Sequence, residues 1–208
     1  MRRLVDVVTS VLTLVVLLPV LLIVAALVRC QLGSPILFRQ RRVGRHGREF
    51  SIVKFRTMRP ERWSGEPDRE RDTWLGRRLR FCSLDELPQL CNVLVGDMSL
   101  IGPRPTLPEQ VAHYTERQRG RLAIRPGLTG WAQVNGRNSI SWPERIELDL
   151  EYIERRSVRL DLEIICRTVL MLLNPRGVYG AGGVNSGFPF DQTGTAAQAG
   201  QPAAGGPS

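Results

Sequence analysis

No charged residue falls between Val11 and Val28. The stretch reads VLTLVVLLPVLLIVAALV, eighteen residues, the apolar length of a bilayer segment. Arginines bound it on both sides: Arg2 and Arg3 before, then Arg29, Arg39, Arg41, Arg42, Arg45 and Arg48 after. Pro19 stands in the middle, removes a helical N–H and predicts a bend. Charge and proline alone leave two readings open. One is a transmembrane helix that tolerates its proline. The other is a re-entrant helix that bends at Pro19 and returns, keeping both basic flanks on the cytoplasmic side. A cleaved signal peptide is disfavoured, because no A-x-A site follows. Asp6, just before the apolar run, is expected to pair with Arg2 or Arg3.

The pattern then changes period. Ile36 to Val43 and Glu49 to Phe55 read as strands of a hairpin around Gly44-Arg45-His46-Gly47. Its basic face could lie on anionic headgroups. Pro60 to Asp72 is polar, with Pro and Gly, and reads as a loop. Three S/T-x-x-E patterns, starting at Ser83, Thr106 and Ser141, predict capping boxes at helix starts. After the first, Leu87, Leu90, Cys91 and Leu94 share a helical face and Gly96 is a natural stop. The second opens a helix to about Gln118; the third carries Ile146, Leu150 and Ile153 on one face. Leu160 to Leu173 is apolar but contains Asp161, Glu163 and Arg167. It fits an amphipathic helix on a membrane and a core helix equally. From Asn174 onward Gly, Ala, Pro and Ser dominate, which predicts a disordered tail.

The chain of 208 residues is basic, with formal net charge +9, and Lys54 is its single lysine. Such a balance suits nucleic acid, anionic lipid or a phosphorylated substrate. The cations are dispersed and no nucleic-acid motif appears, so nucleic acid is not expected as a partner. Trp63, Trp74, Trp131 and Trp142 read as core or interface residues. Cys30, Cys82, Cys91 and Cys166 form no CxxC pair, and His46 and His113 are far apart. Zinc is therefore not expected, and the cysteines read as reduced.

Asp85 and Glu86 stand side by side where the first capping box places a helix's first turn. Backbone N–H groups and the helix dipole would favour their ionised forms there. Their side chains diverge by about 100° on a helix, so one can meet a phosphorus and the other a cation. Two clustered carboxylates also suit Mg²⁺. Ordinary capping explains the pair as well. Arg104 sits between Pro103 and Pro105, which stiffen its backbone and present its guanidinium for bidentate phosphate recognition. Arg80, five residues before Asp85, and Lys54 and Arg56, closing the hairpin, are further candidate phosphate-binding cations.

Four blocks then carry a resemblance: KFRTM from Lys54, SLDELPQL from Ser83, GDMSLIGPRP from Gly96 and RPGLTGWAQVNGR from Arg125. In this order they resemble the bacterial sugar transferases, the monotopic polyprenyl-phosphate phosphoglycosyl transferases, from about Arg2 to Leu173. The resemblance implies transfer of a sugar-1-phosphate from a UDP-sugar donor to polyprenyl (undecaprenyl) phosphate, giving UMP and a polyprenyl-diphosphate-sugar. It makes Asp85 the nucleophile that forms a covalent aspartyl intermediate, Glu86 the Mg²⁺ ligand, and Arg80 and Arg104 phosphate binders. It matches Arg2, Arg3 and Asp6 to a basic pair followed by Asp, and tips the apolar segment towards a re-entrant helix bent at Pro19. It also implies the inner membrane of a bacterium, the catalytic part on the cytoplasmic face and membrane lipids as partners. The expected fold class is then α+β, mostly helical, a monotopic membrane protein with a β-hairpin and amphipathic interfacial helices. The expected division is 1–34 re-entrant helix, 35–173 catalytic domain and 174–208 tail. No further N-terminal membrane domain is apparent, so the chain looks like the minimal catalytic form. Three departures stand out: Leu18 where Ser often precedes the proline, a short loop from Pro60 to Asp72, and Phe81-Cys82 before Ser83. The sugar and the pathway are not readable, and a homodimer is a guess.

Overall fold

The apolar segment forms two helices, α1 (Arg2–Val16) and α2 (Leu18–Leu32), bent by 64° at Leu17. A continuous helix would drive the Pro19 ring into the carbonyl of Val15. The break therefore comes just before the proline, which sits in the first turn of α2, where its missing N–H costs least. Neither helix alone is long and apolar enough to cross a membrane; the bent pair together has the length and composition. The computed structural model describes residues 2–64, 66–136 and 139–173. The expected tail, 174–208, lies outside the described residues.

One side of α2 is interior. Val24 and Val28 bury against Phe55, Leu75 and Leu79, while Leu18, Leu22, Ile23 and much of α1 stay exposed. Phe55 ends the expected hairpin, β1 (Leu37–Val43) against β2 (Glu49–Phe55), antiparallel with Leu37 opposite Phe55. The expected loop from Pro60 to Asp72 is partly helical, with α3 (Asp68–Arg71) at its end. Next comes α4 (Trp74–Phe81), started by Thr73, whose hydroxyl accepts the Gly76 N–H at 3.0 Å. Only glycine fits at 76, since a Cβ there would lie 1.9 Å from the Thr57 carbonyl oxygen.

The first capping box does not form. Ser83 adopts φ 56° and its side chain caps nothing. It follows directly on α4, whose end consumes it: its N–H donates to the Arg80 carbonyl at 3.1 Å. The chain continues as a 3-10 turn, Leu84–Gln89, with Pro88 inside it, and becomes α-helical only in α5 (Leu90–Val95). Cys91 is exposed, against expectation, and Leu90, Asn92 and Val93 form the buried face. Gly96 does end the helix, at φ 97°.

The second box is displaced. Thr106 is held in a bridge to Val43, so α6 (Pro108–Ala112) starts after Leu107, whose N–H the Gln110 side chain accepts at 3.1 Å. The expected helix to Gln118 is broken: Thr115 caps a separate α7 (Glu116–Arg119). The third box forms as expected at the start of α9 (Trp142–Arg155): the Ser141 N–H donates to Glu144 at 2.8 Å. Two short parallel strands, β3 (Ser99–Ile101) and β4 (Gly127–Thr129), and α8 (Trp131–Val134) complete the centre. The last helix, α10 (Val158–Leu173), fully buries Ile164 and exposes Leu162, Ile165, Val169, Leu170 and Leu173. The described chain is thus mostly helical with two small sheets.

Asp6 does not pair with Arg2 or Arg3. It is buried and accepts the Ser99 hydroxyl at 2.7 Å and the Leu100 N–H at 3.1 Å. Arg2 instead pairs with Asp161 at 3.1 Å, and Arg3 donates to the carbonyls of Val93 and Leu94 at the end of α5. These contacts satisfy charges that the adjoining apolar helix cannot bury alone.

Candidate active site

The site grows from the 3-10 turn, which packs Asp85 against the end of β2. The Asp85 carboxylate is 4% exposed and accepts no hydrogen bond among the described residues. Its cationic neighbours are Lys54, Arg104 and Arg80, but burial and the adjacent Glu86 outweigh them and push its pKa up to about 6. The shift runs opposite to the expected favouring of the ionised form, though at neutral pH the carboxylate remains mostly ionised. A 3-10 turn with no side-chain cap supplies little of the helix N-terminal field, while desolvation disfavours the charged form. Burial lowers Lys54, which Glu86 and Asp85 pull back up; its Nζ lies 5.4 Å from the Phe38 ring centroid.

Glu86 turns the other way, as adjacent side chains must. Arg104 grips it with both Nη atoms, at 2.5 and 3.3 Å. The Arg104 side chain is 56% exposed and that of Glu86 21%, so this pair lies open to a ligand. Glu86 holds the guanidinium above its ordinary pKa.

Arg80 reaches the edge of the site, donating to the Thr57 hydroxyl at 2.8 Å and to the Asp72 carboxylate. Arg56 does not belong to the site. It is buried and donates to the carbonyls of Leu32, Gly33 and Ser34, the orphan acceptors after α2. Pro19 lies in the first turn of α2, at the bend of the helix pair. The sequence reading missed Arg42. It donates to the Pro105 carbonyl at 3.3 Å and to Gln40 at 2.7 Å. Burial, then the charge of Arg104, lowers its pKa to about 10. Strand alternation holds the signal: Gln40 and Arg42 share one face of β1, while Arg39 and Arg41 face outward. Also missed was a buried cluster behind Arg104, made by Arg121, Asp149 and Tyr114.

No group of three or more His, Cys, Asp or Glu side chains gathers among the described residues. A caged metal is therefore not built in. A cation such as Mg²⁺, which takes one or two carboxylates and completes its shell with phosphate oxygens and water, would find Glu86 beside Asp85 only by sharing the Glu86 oxygens that Arg104 already engages. The arrangement offers a nearly buried carboxylate that accepts no hydrogen bond among the described residues and feels the charges of Lys54, Arg104 and Arg80. That combination suits attack on a phosphorus whose oxygens the cations hold.

A family model described as bacterial sugar transferase matches residues 1–175. The chain belongs to this family. The matched span holds every residue of the site and also the bent helix pair. Among its relatives, the uncharacterised sugar transferase EpsL of Bacillus subtilis is 47% identical over 181 residues, covering 86% of this chain and 90% of that protein. The exopolysaccharide production protein ExoY of Sinorhizobium fredii is 36% identical over 198 residues, covering 86% and 88%. The UDP-glucose:undecaprenyl-phosphate glucose-1-phosphate transferase of Caulobacter vibrioides is 41% identical over 191 residues, covering 86% and 72%. In this bacterial sugar transferase the exposed Glu86–Arg104 pair and the buried Asp85 thus lie inside the shared region.

Proposed function

We propose that this transferase moves a sugar-1-phosphate from a UDP-sugar to polyprenyl phosphate, an early membrane step of exopolysaccharide or related glycan synthesis. The carrying observation is the Asp85 carboxylate, nearly buried and accepting no hydrogen bond among the described residues, with Lys54, Arg80 and Arg104 as its cationic neighbours. The name of the Caulobacter relative supports the donor and acceptor classes.

An Asp85 oxygen attacks the phosphorus that carries the sugar. The bond from that phosphorus to the bridging oxygen breaks, and its electron pair leaves on UMP. A phosphate oxygen of the lipid then attacks the same phosphorus, and the aspartyl–phosphorus bond breaks to restore the carboxylate. Arg104, exposed and backed by Glu86, grips the donor's phosphate oxygens, and Lys54 and Arg80 offset charge on the transferring group. Glu86 would hold Mg²⁺, which when bound neutralises diphosphate charge. Splitting the transfer lets a water-soluble donor and a lipid acceptor use one carboxylate in turn.

The bent helix pair is proposed to dip into the cytoplasmic leaflet of the inner membrane and return, placing Asp85 near the headgroup plane, with α10 lying on the interface. The test is UMP release from a panel of UDP-sugars with undecaprenyl phosphate and Mg²⁺ in nanodiscs. Release with one donor, lost in Asp85→Asn, is the expected result. Absence of release with every donor, from folded protein, would sink the proposal. Site-directed labelling should find residues 2 and 36 on the same membrane face; opposite faces would exclude re-entry.

A further inference from the structure

The segment that presents Arg104 is held in an unusual way for a loop. Residues 103–106, Pro-Arg-Pro-Thr, include two prolines, and 103–105 lie outside helix and strand. Even so, each of the four carbonyls receives a donor. Gly127 N donates to Pro103 O at 2.9 Å, Arg121 Nη2 to Arg104 O at 3.3 Å, Arg42 Nη1 to Pro105 O at 3.3 Å and Val43 N to Thr106 O at 2.9 Å. Two of the donors are backbone groups of neighbouring strands. Arg42 is one of the site's own cations. Arg121 is different: it lies behind the segment and faces no solvent.

Both Nη atoms of Arg121 are engaged, while its buried Nε has no partner among the described residues. Nη2 donates to Asp149 Oδ2 at 2.6 Å, and Nη1 donates to the Tyr114 hydroxyl. That hydroxyl donates in turn to Thr106 Oγ1 at 3.1 Å, closing the network back on the same segment. The Arg121 and Asp149 side chains are 4% and 2% exposed. A buried ion pair stabilises a fold no better than well-packed apolar side chains of the same volume. What an apolar pair could not supply is a donor for the Arg104 carbonyl, which Arg121 alone among the described residues provides.

We infer that Arg121, held by Asp149 and Tyr114, is a positioning residue for Arg104 and so sets how the donor's phosphate is gripped. This rests on the proposed role of Arg104 in phosphate binding. Arg121 touches no substrate. It fixes the backbone from which an exposed, flexible side chain must reach its target, and bidentate recognition tolerates little displacement of that origin.

The test is a double-mutant cycle on the full chain in nanodiscs, with UDP binding by calorimetry and donor KM and kcat as readouts. Arg121→Lys is expected to weaken UDP about tenfold, the scale of one hydrogen bond to a charged group, and to raise donor KM more than it lowers kcat. In an Arg104→Ala background the same change should do nothing further to UDP. Equal weakening in both backgrounds, or no weakening in either, overturns the inference. If Arg121→Lys does not fold, Tyr114→Phe, which removes a single oxygen, decides: about threefold weaker UDP, again only with Arg104 present. Unchanged UDP affinity in Tyr114→Phe then overturns it. Should Arg104→Ala itself bind UDP like the wild type, the phosphate role of Arg104 falls and the inference with it. Weak UDP binding by Arg104→Ala alongside a silent Arg121→Lys removes the inference alone.

Discussion

Asp85 and Asp149 are both buried, 4% and 1% exposed, yet they stand in opposite surroundings. Asp149 Oδ2 meets the Arg121 guanidinium at 2.6 Å, although Oδ1 has no partner among the described residues and burial raises this carboxyl too. Asp85 accepts no hydrogen bond among the described residues, and its nearby cations act on it only through space. A carboxylate with a short guanidinium partner has one oxygen committed to that partner and is held in place by it. One that is desolvated without a donor is destabilising, and its lone pairs are available to an electrophile. The difference separates a carboxylate kept for architecture from one kept for chemistry.

The sharpest way to break the contrast is to neutralise each in turn. Asp85→Asn should reduce transfer to background while leaving the fold intact; an amide oxygen is no substitute for the nucleophile. Near-normal UMP release from that variant would reverse the assignment. Asp149→Ala should do the opposite damage. It strands the Arg121 charge in the interior, and such losses run to about 3–5 kcal/mol, measurable by denaturant unfolding in detergent. A Asp149→Ala protein as stable as the wild type would make that pair dispensable.

The pH dependence sharpens the comparison further. Burial raises the folded-state pKa of Asp85 from 3.8 to about 6, so the folded protein binds this proton more tightly than the unfolded chain. Stability therefore falls as pH rises from about 4 to 6, and the deficit persists above, reaching about 3 kcal/mol. Asp85→Asn should be more stable than wild type by up to that amount at pH 8, with the gain gone at pH 3. In the wild type, kcat/KM should drop about tenfold per pH unit below pH 6, where the nucleophile becomes protonated. A flat profile between pH 5 and 7 would contradict the raised value. The smallest effect belongs to the open pair: Glu86→Gln should change stability by less than about 1 kcal/mol, since exposed ion pairs contribute little, while removing most activity. A large loss of stability there would show that the pair is structural after all.

The sequence reading reached these groups unevenly, for physical reasons. Asp85, Glu86 and Arg104 lie in compact local patterns, and the hairpin and the Ser141 helix start follow from alternation and capping. The same S/T-x-x-E pattern failed at Ser83 and Thr106 because a cap needs its backbone free to be extended. Ser83 is taken up by the end of α4, and Thr106 by its bridge to Val43. Arg56 looked like a site cation because it closes the hairpin, but its partners are 22 to 24 residues upstream. Arg121 and Asp149 meet across 28 residues, a pairing that no local spacing reveals. The raised pKa of Asp85 was likewise out of reach, since burial depends on which strand packs over the turn.

Arg56 also changes what the first thirty-odd residues are. Its guanidinium closes the carbonyl end of α2, and Val24 and Val28 of that helix are in contact with the core formed by Phe55, Leu75 and Leu79. One face of the apolar pair is thus a wall of the enzyme's interior. Cutting the pair away to make a soluble catalytic fragment would open the interior beside the end of β2, and replacing it with an arbitrary hydrophobic span would lose the packing of Val24 and Val28 on Phe55, Leu75 and Leu79.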